Sequence, residues 1–91
     1  MGRKNVALIV HDGVQALDVA GPLDVFAEAN ARIPAMDGYD CYLIAAGAGP
    51  LRASNGMMMI AHLTFAQACR PFHTVLVAGG PALPNLSLIH I

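Results

Sequence analysis

One acid and one pair of glycines stand where chemistry can occur in this 91-residue chain. Asp18 lies between Leu17 and Val19 in an apolar stretch, where partial desolvation favours a protonated carboxyl able to donate a hydrogen bond near neutral pH. An acid placed early in a helix, where the helix dipole favours it, has the same spacing, so both readings stand. Gly79-Gly80 directly follows an apolar run. A diglycine there turns the backbone and leaves amide N–H groups free to form half of an oxyanion hole, and a plain tight turn needs the same pair. His11, His62, His73 and His90 have no metal-ligand spacing, and Gly47-x-Gly49 lacks the third glycine of a dinucleotide fingerprint. No metal and no cofactor is therefore expected. Cys41 and Cys69 lack CxxC spacing and sit among apolar residues, which points to reduced, buried thiols. Met57-Met58-Met59 reads as core filling.

The elements that must position these residues follow from hydrophobic periodicity. Val6 to Val10 is a continuous apolar run ending in His11-Asp12-Gly13, the pattern of a strand buried on both faces of a parallel sheet. Ala16 to Asn30 has helical spacing, with Val19, Leu23 and Phe26 on one stripe, Ala20 and Ala27 beside it, and Pro22 kinking the helix or marking its first turn. Asp40 to Ala46 reads as a second strand, and Leu51 to Ala61 as a small hairpin or a pair of extended segments around Ser54-Asn55-Gly56. Thr64-Phe65-Ala66-Gln67 fits a capping box opening a short helix to about Cys69, and His73 to Ala78 is a third buried strand. This order is α/β with the strands parallel. In such sheets ligands bind beyond the carboxyl ends of the strands, where His11 to Asp18 and Gly79-Gly80 both lie.

Composition narrows the function classes. A formal net charge of −1 excludes a basic nucleic-acid surface, and 56% hydrophobic with 12% charged residues, against roughly 45–50% and about 25% in typical globular chains, excludes disorder. All six acids and three of the five bases precede residue 41, leaving Arg52 and Arg70 for the rest. So apolar a surface on so small a chain implies either that something covers it or that the chain is incomplete. Apolar runs are too short for a membrane span or a signal-peptide core, so a cytoplasmic location is expected.

The segment Val6 to Asn30, with its LDVAGPLDVFAEAN stretch, resembles the opening of the ThiJ/PfpI superfamily, whose domain is class I glutamine amidotransferase-like. It is most similar to the N-terminal domain of GlxA-type AraC-family transcriptional regulators. Tyr39 to Ala45, Gly49 to Gly56 and Val75 to Pro81 agree with that family's pattern in the same order. The resemblance implies the N-terminal half of a flavodoxin-like, doubly wound parallel sheet of three layers (α/β/α), truncated in this chain and dimeric in the full-length protein. It implies that Asp18 matches an acid facing a cysteine at a nucleophile elbow, and that Gly79 and Gly80 match the loop lining a small anion pocket. The elbow falls beyond this chain, and neither Cys41 nor Cys69 occupies its place, so enzymatic activity is not expected of the chain itself.

The function implied is the first part of an effector or sensor domain, responding to a small molecule, with DNA contacted only by a region outside the chain. The alternative is part of a stand-alone cysteine hydrolase or hydratase of the isonitrile hydratase type, in which Asp18 orients the thiolate and the Gly80 amide stabilises an oxyanion. Residues 1–84 are expected to form this partial domain. Residues 85–91, whose LSLIHI sequence resembles translated adapter sequence, are expected to be a non-native tail, with no function for His90.

Overall fold

The structure is a computed structural model and describes residues 2–81. The expected boundary at residue 84 and the tail 85–91 lie outside the described residues.

Among the described residues, six strands and one α-helix form in the order β1 (Lys4–Ile9), α1 (Ala16–Asn30), β2 (Tyr39–Ala45), β3 (Pro50–Arg52), β4 (Met58–Ile60), β5 (Leu63–Thr64) and β6 (Thr74–Val77). Four strands make one sheet in the order β5-β2-β1-β6, and every pairing in it is parallel. The main sheet and α1 agree with a flavodoxin-like α/β fold. Strand β1 sits between β2 and β6, with Leu8 level with Leu43 and Leu76. The chain therefore leaves β1 to one side and returns to its other side, so the strand order reverses at β1, where such sheets open a crevice.

Period-two alternation divides the sheet residues between its faces. Leu8, Val10, Leu43 and Ala45 are buried in one cluster with Val14 and Val19, and Leu23 and Leu76 pack against it. Helix α1 contributes Val19 to this core, the one buried residue of the helix. The expected stripe is narrower than its sequence suggests, because Ala20 and Ala27 are exposed and Phe26 turns to Tyr39, with ring centroids 5.0 Å apart. Pro22 leaves the helix running unbroken from Ala16, at the cost of the hydrogen bond its missing N–H would give to Asp18. On the other face, Tyr42 meets Phe72 and His62 edge-on.

Four expectations need correction. Strand β6 is not buried on both faces, since Val75 and Val77 are 58% and 60% exposed; the apolar run alternates between a covered and an open side. Met57 and Met58 are exposed and only Met59 packs on the core, because β4 pairs with β3 alone and presents one face outward. The capping box forms, with Thr64 N–H donating to Gln67 Oε1 at 3.0 Å, but it opens a single 3-10 turn, Phe65–Gln67, rather than a helix to Cys69. Both cysteines are free, as expected, yet Cys69 is exposed and Cys41 half-buried.

Asn30 ends α1 by joining it to β2: its Nδ2 donates to the Tyr39 carbonyl at 2.9 Å, and its Oδ1 accepts the Tyr39 N–H at 2.7 Å. Asn30→Ala removes both bonds from a partly buried strand end. It should lower unfolding free energy by about 1–3 kcal/mol, read as a shift of the urea midpoint at unchanged slope.

Candidate functional site

The loop 11–15 leaving β1 and the loop 78–81 leaving β6 meet above the sheet. Gln15 N–H donates to the Gly79 carbonyl at 2.9 Å, and Ala78 N–H to the Ile9 carbonyl at 3.0 Å. Gly80 lies so close to the first loop that a Cβ on it would stand 2.6 Å from the Gly13 carbonyl oxygen and 3.0 Å from the Val14 Cα. Gly13 turns the chain at a φ of 84°, in the left-handed region that favours glycine. Among the described residues, the N–H groups of Gly79 and Gly80 have no acceptor.

Asp18 reaches this junction from the first turn of α1. Its Oδ2 lies 2.8 Å from where a Cβ on Gly79 would be, so the carboxylate rests against the glycine. The structure thus brings Asp18 and Gly79 together from positions far apart in sequence, and packs Gly80 against the loop that leads to Asp18. The side chain of Asp18 is exposed, contrary to the desolvation its neighbours suggest. Val19 points into the core at 5% exposure while Leu17 points out at 72%, and the acid between them follows the outer side. An open groove of about 300 Å³ between α1 and β6 is lined by Asp18 and Gly79 together with Leu8, Leu17 and Leu76.

The hairpin β3–β4 holds the first loop in place, a role that the sequence does not announce. Gly13 N–H donates to the Arg52 carbonyl at 2.8 Å, Arg52 N–H to Asp12 Oδ1 at 3.1 Å, and Ser54 N–H to the Val14 carbonyl at 2.8 Å. Asp12 and Arg52 are 40 positions apart, and no spacing rule links them. His11 Nδ1 lies 2.9 Å from the Asp12 carbonyl, and its buried Nε2 has no partner among the described residues. Among the described residues there is no group of three or more His, Cys, Asp or Glu able to hold a metal ion. Nor, among those residues, is any helix long and apolar enough to cross a membrane.

The cysteines stand apart from this junction. Cys41 is level with Val6 in the middle of β2, and Cys69 follows the 3-10 turn, its Sγ 3.3 Å from the Ala66 carbonyl. Burial pushes the Cys41 thiol above its ordinary value, and the adjacent Asp40 carboxylate adds to the shift. Since the thiolate is the reactive form, a thiol reagent at neutral pH should label Cys69 at least tenfold faster than Cys41. Peptide mass mapping after partial reaction measures this, and faster labelling of Cys41 would contradict the burial described.

No family model matches the sequence. A Streptomyces lividans protein described as "Uncharacterized protein in cpoL 5'region" is 41% identical over 84 residues, covering 92% of this chain and 57% of that protein. The chain thus spans a little over half the length of this curated relative. Among solved structures, a ThiJ/PfpI family protein from Pseudomonas syringae superposes with a TM-score of 0.72 at 24% identity, over 88% of this chain and 30% of the other. An AraC family transcriptional regulator from Pseudomonas putida gives 0.72 at 18% identity, over 94% and 57%. A DJ-1 superfamily protein from Salmonella typhimurium gives 0.67 at 19%, over 86% and 39%. With its parallel sheet reversing at β1, and with these structures superposing on most of its length, this chain has the fold of the ThiJ/PfpI and DJ-1 superfamily proteins.

Proposed function

We propose that this chain is the first part of a ThiJ/PfpI-like effector domain of a GlxA-type AraC-family transcriptional regulator. In this reading the domain is cytoplasmic and homodimeric in the full-length protein, and DNA is bound by a region outside the chain. A small molecule docks where Asp18 meets Gly79, accepting the free amides of Gly79 and Gly80 and donating to the Asp18 carboxylate. The observation that carries the reading is the contact of Asp18 with Gly79 at the point where the strand order reverses. It places a carboxylate acceptor against a glycine loop whose N–H groups have no acceptor among the described residues, which suits recognition without chemistry. The likeness to an AraC family regulator over 94% of this chain supports the same choice.

The stand-alone cysteine hydrolase or hydratase reading uses the same acid to orient a thiolate, and the likeness to ThiJ/PfpI and DJ-1 superfamily proteins supports it. It requires a cysteine opposite Asp18. Sequencing the gene through and beyond residue 84 separates the two. A helix-turn-helix region downstream is the expected result, and a stop codon shortly after an elbow cysteine would overturn the regulator reading in favour of the enzyme.

A further inference from the structure

We propose that His62 is a pH-sensitive latch that fastens the β5 edge to the sheet. Two hydrogen bonds link it to one residue of β2: the His62 N–H donates to the Leu43 carbonyl at 2.9 Å, and the Leu43 N–H donates to His62 Nδ1 at 2.8 Å. An imidazole nitrogen therefore stands where the carbonyl of a neighbouring strand would accept. This acceptor exists only in the neutral ring with its proton on Nε2. The imidazolium carries N–H on both nitrogens, so its Nδ1–H would face the Leu43 N–H, donor against donor.

Leu43 is 7% exposed while His62 is exposed, so the protonated ring swings out to water and leaves the Leu43 N–H without its acceptor. Strand β5 has two residues, Leu63 and Thr64, so its own ladder with β2 is short. The ring of Tyr42 on β2 meets His62 edge-on at 6.2 Å, and the Arg70 guanidinium lies 4.7 Å from the centroid of the same Tyr42 ring. Among the described residues no carboxylate pairs with His62 to stabilise its charged form. Protonation of the ring thus removes the acceptor of the Leu43 N–H and opens the latch. Histidine is the side chain that ordinarily changes charge between about pH 5 and 8. The segment released by opening covers Tyr42 and leads into β6, whose far end carries Gly79 and Gly80. The latch rests on the β2–β5 geometry and stands whether or not the chain belongs to a regulator.

Hydrogen exchange of the 91-residue chain, followed by mass spectrometry of peptides spanning residues 40–46 and corrected for intrinsic rates, tests it. Protection should fall about tenfold between about pH 7.5 and 5.5 in the wild type. It should stay constant in His62→Gln, whose carbonyl can accept but not titrate, and be low at both pH values in His62→Ala. Equal wild-type protection at the two pH values, or the same fall in His62→Gln, would overturn the latch. The ring ¹⁵N shifts of wild-type His62 give a readout independent of the variants: a bare Nδ1 at the higher pH is expected, and an Nδ1-protonated tautomer there would also overturn it.

Discussion

Replacing Gly80 by alanine should lower the unfolding free energy of the chain by about 3 kcal/mol, a large share of the roughly 5–15 kcal/mol that holds a domain together. The added Cβ would meet the Gly13 carbonyl oxygen at 2.6 Å, the Val14 Cα at 3.0 Å and the Gln15 nitrogen at 3.1 Å. All three are backbone atoms of a loop that the hairpin pins through Arg52 and Ser54, so none can give way without breaking those bonds. The narrower unfolded ensemble of alanine offsets only about 0.4–1 kcal/mol. Gly79→Ala is the control. Its Cβ would meet the Asp18 carboxylate, the far end of an exposed side chain that can move aside, so stability should stay within about 0.5 kcal/mol. Urea unfolding of both variants decides the matter, and a Gly80→Ala chain as stable as wild type would show that the two loops are not packed as described.

The second large effect is on ligand response. If the full-length protein is the regulator proposed above, Asp18→Ala in it should weaken the response to its effector by about tenfold to a hundredfold, the worth of one hydrogen bond to a charged group. Stability should change by no more than about 1 kcal/mol, since an exposed acid in the first helical turn contributes only its interaction with the dipole. Asp18→Asn keeps an acceptor without the charge and should fall between wild type and alanine. Effector titration of a transcriptional reporter, with thermal melts of each variant, measures both quantities. An unchanged response at unchanged stability would reduce Asp18 to a helix-start acid.

Much of this arrangement is legible in the sequence, for identifiable reasons. The apolar run Val6 to Val10 marks the central strand because neighbours on both sides bury it, and the helix from Ala16 to Asn30 follows from its spacing. The meeting of Asp18 with Gly79 is not legible from spacing, because it depends on β6 returning beside β1 rather than β2. The exposure of Asp18 escapes a linear reading for a different reason. Residues adjacent in a helix point about 100° apart, so Leu17 and Val19 flank Asp18 along the chain without enclosing it in space. Strand β5 is too short to carry a periodic pattern, and its bond to β2 comes partly from a histidine side chain that no strand rule anticipates. The apolar excess also acquires a location. It lies on Val75 and Val77 of β6, on Leu17 and Val25 of α1, and on the outer face of the hairpin at Met58 and Ile60.

The central claim is that Asp18 and Gly79 act together as one binding site. A double-mutant cycle of Asp18→Ala and Gly79→Ala, read as effector response in the full-length protein at matched stability, tests it most directly. The account predicts that each single variant loses about tenfold or more, and that the double variant loses little beyond the worse single one, because the added methyl displaces the same carboxylate that the other change removes. Wild-type response in either single variant, or losses that simply multiply in the double, would contradict it.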